Sequence, residues 1–529
     1  MRLLRLWSRR SAAGRGVTEC RRHIGVALLV ASLLIGSHAS AAVKLPAIFA
    51  HHMVLQRDAP VPIWGWAEPG EEVTVAIADQ SKTVTAGADR KWLIQLDKLA
   101  AGGPHTLTVK GKNKLTVNDV MIGEVWLASG QSNMVHIMPT TTDFAKEQPL
   151  ANYPGLRIFT VARAVSQTPK EDCHGNWLVL SPTTVDDVAA VPYYFGRELH
   201  QKLGVPVGVI TSALGSTPVE AWTSLDAQQD RTELQELLAS WERKSAEFDP
   251  VAAKTAYEKE LAAWKEAAEK AKAEKKPVPR EPKVPIAPRE QPAHPGVMFN
   301  GMIAPLVPYS MRGVICYQGE FNAQTEDYAR LYRHQLPLLI RDWRTRWQND
   351  QLPFASVQLP NFETSSRSPQ LTGWRLVREG QLQSLAVPRT GMIVSTDIGE
   401  ATGIHPRNKR AFGERLALWA RAEVYGERIP WSGPIYSGFK VTGNTIELTF
   451  RHTDGGLTFN GDERKGFLIC GADQQWRPGS ARIQGVHVLV SSQDVATPVA
   501  VRYSWADNPD GNLTNAVGLP ASPFRTDND

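Results

Sequence analysis

Cysteine is nearly missing from this chain: four residues in 529, at positions 20, 173, 316 and 470. So sparse a set excludes a disulfide-stapled scaffold, and no two stand at the short spacings that make a zinc site. Beyond Cys20 the number is odd, so at least one thiol stays unpaired. Long hydrophobic runs are missing too. The most apolar stretch, residues 24–35, has 12 residues, whereas a helix needs about 20 to cross a bilayer. Nor is there a surplus of one charge. The formal net charge is +5, but the first 41 residues carry seven Arg against one Glu, which leaves the remainder at about −1. A near-neutral body gives no electrostatic reason to expect nucleic acid or an anionic membrane as partner. With 42% hydrophobic and 21% charged residues, the composition is that of globular protein. At roughly 100–200 residues per domain, 529 residues predict about three domains.

The basic N-terminus reads as an export signal. Arg21 and Arg22 precede the apolar run 24–35, and Ala39-Ser40-Ala41 supplies small residues for a signal peptidase. Residues 1–41 are therefore expected to be removed, giving a periplasmic or secreted protein with no membrane insertion after cleavage.

Residues 42–119 read as a β-sandwich-like domain. Short apolar segments at 61–66, 73–77, 92–96 and 106–109 are separated by Pro-Gly, Gly-Ala-Asp and Gly-Gly-Pro turns. Trp64, Trp66 and Trp92 lie in these segments and are read as core. The character then changes. Runs at 125–128, 207–210, 313–317 and 392–395 are short and non-alternating, as in parallel strands buried on both faces. Helical patterns at 191–203, 328–347 and 409–424 fall between them, which predicts a doubly wound α/β domain over 120–225 and 296–428. An insertion at 226–295 separates its two parts. Leu234, Leu237, Leu238 and Trp241 form one helical stripe and Tyr257, Leu261, Trp264 and Ala268 another, so a helical hairpin is expected. A Lys-, Glu- and Pro-rich linker follows it. Alternating segments return at 445–450, 466–470 and 486–490, predicting a β-domain over 429–529.

The chemistry gathers at strand ends. Strand 125–128 runs into Ser129-Gly130-Gln131-Ser132-Asn133-Met134, and a serine just past a buried strand sits at the carboxyl edge where open α/β sheets place their sites. A helix starting there would aim its amides at a developing oxyanion. Gly215 follows strand 207–210, Gln318, Glu320 and Asn322 follow strand 314–316, and Asp397 and His405 follow strand 392–395. Four strand ends thus carry a nucleophile, oxyanion donors, a base and a candidate to orient it, the set that acyl transfer requires. His136, near the serine, is a further candidate. His51, His52, His200 and His334 are read as structural, Glu320 as a cap on neighbouring amides, and Arg378 as half of a structural ion pair.

Four blocks carry a resemblance: residues 128–134, Gly215-Ser-Thr-Pro-Val-Glu-Ala-Trp222, Tyr317-Gln-Gly-Glu320 and Ile404-His-Pro406. Together with Asp507-Asn-Pro509 and the ending 518–524 they resemble the sialate O-acetylesterase family, a branch of the SGNH hydrolases. The similarity spans nearly everything after residue 41. It implies a flavodoxin-like SGNH domain with β-rich accessory regions, an acetylated glycan as substrate (sialic acid or a plant-wall polysaccharide such as xylan or xyloglucan), and neither cofactor nor metal. Carried over by position, Ser132 is the nucleophile, His405 the base, and the amides of Ser132 and Gly215 line the oxyanion hole with a side-chain amide. That third donor is an asparagine in the general SGNH pattern; here Gln318 is expected, with Asn322 the alternative. The acid that usually stands three residues before the histidine is replaced by Thr402. Asp397 is the candidate instead, and without it the site is a Ser-His dyad. An SGNH lipase or thioesterase, or a glycan-binding protein with a vestigial esterase domain, are the competing readings.

Overall fold

The computed structural model describes residues 42–364 and 371–527; the expected signal peptide lies outside them. Seven strands form the central sheet: β1 (Lys114–Gly130), β2 (Tyr153–Val161), β3 (Gly175–Leu180), β4 (Val207–Ala213), β5 (Gly313–Tyr317), β6 (Phe354–Val357) and β7 (Thr390–Ile393), in the order β7-β6-β5-β1-β4-β2-β3. All neighbours pair in parallel except β2 with β3. The five strands β4-β1-β5-β6-β7 have the 2-1-3-4-5 arrangement of flavodoxin-like sheets. Their residues do not alternate because both faces are covered: β4, β5 and β6 are buried along their whole length.

Helices α1 (Ala190–Leu203), α2 (Gln235–Glu247), α3 (Pro250–Ala273), α4 (Glu326–Arg346), α5 (Trp374–Gln383) and α6 (Lys409–Trp419) complete this part. On one face Trp126 of β1 packs edge-on against Phe195 of α1 and Trp419 of α6, with ring centroids 5.1 and 6.0 Å apart. The register Leu127↔Val314↔Phe354 puts Phe354 on the opposite face, where Trp343 of α4 meets it at 6.2 Å. Helix ends follow local chemistry. Gly204 takes the left-handed conformation that closes α1, Thr325 accepts from the Tyr328 amide to start α4, and Asn408 accepts from the Ala411 amide to start α6.

The expected boundary at 119/120 falls inside β1. The first half of that strand pairs with Gly102–Lys110 and Val54–Gln56, the second half with β4 and β5, so one strand belongs to both regions. Asp119, at φ +56°, kinks it, and its carboxylate is held by His52 at 2.6 Å and Arg157 at 3.0 Å. A single hydrophobic core runs from Val43 to Ala420, whereas the C-terminal strands enclose a core of their own around Ile446, Phe467, Val490 and Tyr503. Of the tryptophans read as core, Trp92 is buried and Trp64 and Trp66 are half-buried. Among the described residues Arg378 makes no ion pair. Its buried guanidinium donates to the carbonyls of Leu359, Pro360, Ala506 and Asp507 at 2.5–2.7 Å, tying the C-terminal region to the end of β6. In the insertion, α2 and α3 each lean on the Pro-rich chain that comes after them. Trp241 packs on His294 at 5.3 Å, and the Trp264 indole donates to the Pro279 carbonyl at 2.8 Å. The linker therefore supplies apolar cover beyond that of the two stripes themselves. Among the described residues no helix is long and apolar enough to cross a membrane.

Candidate active site

The site starts where β1 ends. Gly130 has φ +135°, and a Cβ there would lie 2.0 Å from the Tyr317 carbonyl oxygen at the end of β5, so only glycine fits. The same carbonyl accepts from the Gln131 amide at 2.9 Å, clamping the two strand ends together. The chain then makes one helical turn, Ser132–Val135. A turn of four residues has no macrodipole of consequence, so the expected helix field gives way to individual amides. The Ser132 Oγ lies 2.8 Å from His405 Nε2, bringing together two residues 273 positions apart. Gly215 packs directly on the serine: a Cβ there would be 3.3 Å from Ser132 Cβ and 3.8 Å from its amide nitrogen. Among the described residues, the amides of Ser132 and Gly215 donate to no protein acceptor. A cleft of about 480 Å³ opens above the pair, lined by Gln131, Ser132, Ser216, Glu320, Leu371 and His405 among others.

Two expectations are corrected. Gln318 and Asn322 do not reach the serine as oxyanion donors. The Gln318 amide nitrogen donates to Asn322 Oδ1 at 2.9 Å and to the Thr217 carbonyl at 3.3 Å, while its oxygen accepts from Tyr332 at 2.7 Å. Asn322 Nδ2 donates to Glu220 Oε2 at 3.1 Å and to Gln335 Oε1 at 3.3 Å. Both amides are buried and consumed in holding up the floor of the site. Asp397 is not beside His405 either. Both its oxygens are taken by Arg415 of α6 at 2.6 Å in a partly exposed bidentate pair. A guanidinium fork one helix away outcompetes an imidazole for a carboxylate.

Residues 297–420 match the family described as carbohydrate esterase, sialic acid-specific acetylesterase. Over 551 residues the chain is 29% identical to the sialate O-acetylesterase of Rattus norvegicus, covering 95% of this chain and 98% of that one. The Homo sapiens sialate O-acetylesterase is 28% identical, with 94% and 95% covered. The crystal structure of a carbohydrate acetylesterase from Xanthomonas citri superposes with a TM-score of 0.78 at 36% identity, covering 92% of this chain and all of that one. The chain belongs to the sialate O-acetylesterase family of carbohydrate esterases.

Three residues of this acetylesterase that sequence reasoning passed over surround the pair. Gln131 lines the cleft, and its side-chain oxygen accepts from the Phe321 amide at 3.3 Å. Asn133 is completely buried, and its Nδ2 donates to Glu320 Oε1 at 2.6 Å and to the Ile404 carbonyl at 3.0 Å. Glu320 therefore binds a side-chain amide in addition to its own backbone amide, only part of the capping it was expected to supply. Lys409, at 1% exposure, donates to Asn133 Oδ1. A signal for Lys409 existed: with Phe412 and Leu416 it forms an i, i+3, i+7 stripe, so a charge sits on the buried face of α6. His136 lies against His405, with ring centroids 4.6 Å apart. Burial, and secondarily Lys409, hold the His405 imidazole below its ordinary value, so the ring is neutral at neutral pH. Among the described residues no group of three His, Cys, Asp or Glu is placed to hold a metal ion.

Proposed function

We propose that this acetylesterase is an exported serine esterase that removes O-acetyl groups from sugar hydroxyls through an acetyl-enzyme on Ser132. The observation that carries the reading is the 2.8 Å contact between Ser132 Oγ and His405 Nε2 at the floor of an open cleft. Neutral His405 takes the hydroxyl proton as Oγ bonds to the acetyl carbonyl carbon. The carbonyl oxygen gains the negative charge and is met by the free amides of Ser132 and Gly215. The imidazolium then gives its proton to the sugar oxygen as the ester bond breaks. Water repeats the sequence on the acetyl-serine, releasing acetate. With Asp397 bound to Arg415, the nucleophile and base act as a dyad in this reading.

Export is supported by the basic and apolar residues of the N-terminus, which fit a periplasmic or secreted location. The names of the relatives favour an acetylated sugar as substrate, sialic acid first; a plant-wall polysaccharide such as xylan or xyloglucan is the alternative that the sequence resemblance implies. Acetate release from a panel of these, alongside p-nitrophenyl acetate and octanoate, tests the reading. Acetate esters are expected to be cleaved and octanoate poorly. Preference for octanoate would make the protein a lipase or thioesterase, and glycan binding without acetate release would make it a binding protein. Ser132→Ala should reduce turnover by about 10⁴ or more with its melting transition intact; wild-type turnover in that variant would remove the assignment.

A further inference from the structure

Among the described residues His405 Nδ1 meets no carboxylate, yet a base that must sit within hydrogen-bonding reach of Ser132 needs its loop held. The holding group is the residue next to the nucleophile. Asn133 is fully buried and uses its whole amide: Nδ2 on Glu320 Oε1 (2.6 Å) and on the carbonyl of Ile404 (3.0 Å), Oδ1 on the Lys409 ammonium. It thereby joins the turn bearing Ser132, the block after β5 and the loop bearing His405. Glu320 and Lys409 are 3% and 1% exposed, and ionisable groups so buried need hydrogen-bonding partners inside the protein. Their bridge is Asn133.

We infer that Asn133 and Lys409 are positioning residues for acyl transfer: Asn133 locks the carbonyl preceding His405 to the turn that carries Ser132, and the Lys409 ammonium behind it keeps the imidazole available as a base. The inference rests on the Ser132–His405 reading above.

The electrostatics run opposite to a triad. Burial lowers Lys409 to about 7, against the pull of Glu320 and Glu400, so it is largely protonated wherever His405 titrates. Burial raises Glu320 to about 7, with the Asn133 hydrogen bond and Lys409 opposing. His136, its ring tilted 43° against that of His405, is lowered to about 4 by burial, then by Lys409 and His405, and is neutral over the same range. Burial first, and then the charge of Lys409 behind Asn133, disfavour the imidazolium. The active, neutral form of His405 therefore persists below pH 6.5, and activity is lost as pH falls through the lowered value. Once formed, that imidazolium is a stronger acid toward the departing sugar oxygen.

The test is the pH profile of kcat/KM. The double variant Lys409→Met/Glu320→Gln removes both charges, so neither is left buried alone. Its acid limb should move up by about half to one pH unit relative to wild type, with KM changed less than about threefold. Adding Asn133→Ala in that background should lower kcat by a further tenfold or more, on the order expected for a misplaced base, and leave the limb where the double variant put it. A limb coincident with wild type in the double variant overturns the role of Lys409, and an unchanged kcat in the triple overturns that of Asn133. If the variants do not fold, NMR titration of the histidine carbons in Ser132→Ala decides: a His405 midpoint at or above 6.5 overturns the inference. Failure of the serine reading itself would show separately, as turnover in Ser132→Ala.

Discussion

The edge of the sheet around Ser132 and the insertion over residues 226–295 are built to opposite standards. At the edge, the ends of β1 and β5 touch so closely that Gly130 has no room for a methyl group. Asn133, Gln318, Asn322 and Glu220 are buried, and their hydrogen bonds to one another and to nearby chain leave little freedom. In the insertion, α2 contains no buried residue and α3 only Ala268 and Ala271. Its anchoring rests on contacts such as Trp241 on His294 and Trp264 on Pro279. A position whose neighbours have nowhere to move transmits any change to the reacting atoms; a segment held by a few half-buried rings absorbs it.

The largest expected effect in this contrast is at Gly130. Gly130→Ala places a Cβ against the Tyr317 carbonyl and forces alanine to φ +135°. Stability should fall by about 2–4 kcal/mol, and kcat by on the order of 10², because Ser132 two residues later is displaced. Urea melts and initial rates on p-nitrophenyl acetate measure both, and wild-type values would mean that the edge is looser than its contacts indicate.

Asp397→Asn comes next and is much milder. Its partner is Arg415, and the carboxylate is 38% exposed, so the pair contributes at most about 1 kcal/mol. The kcat should fall less than tenfold. A loss nearer the 10⁴ of a serine-protease triad, with KM unchanged, would show that the carboxylate leaves Arg415 for His405 during turnover.

The smallest effect is expected from the insertion. Replacing residues 235–287 by a short Gly-Ser linker should leave hydrolysis of p-nitrophenyl acetate within about threefold of wild type, since no lining residue of the cleft named above lies there. Deacetylation of polymers should fall further than that of the small ester if the helices shape access. An unfolded product would place the insertion in the same class as the edge.

The same contrast explains how much of the molecule is legible in its sequence. Ser132, Gly215 and His405 are readable because each comes after a short apolar strand, and parallel strands deliver the residues beyond them to one edge. The flavodoxin-like order is implied by a resemblance, and the structure has it. Gln318 and Asn322 stand in the same kind of position, but whether a side-chain amide points into a cleft depends on what else competes for it. Here Tyr332, Thr217 and Glu220 do, from 14, 101 and 102 residues away. The domain boundary at 119/120 fails for a different reason. A change of pattern from alternating to continuous burial marks where a strand gains a second covering layer, and β1 gains one without ending.

The sequence alone determined the kind of residue at each strand end and the buried parallel sheet, because local hydrophobic pattern dictates strands and strand ends dictate the edge. Only the tertiary structure decided who holds whom. Arg415 reaches Asp397 because α6 packs beside the end of β7, and Lys409 reaches Asn133 because the same helix begins beneath the serine turn. Hydrogen-bond partnership among side chains is a competition settled by distances of a few tenths of an ångström, here between residues 18 positions apart in one case and 276 in the other. No periodicity or spacing along one chain encodes that outcome.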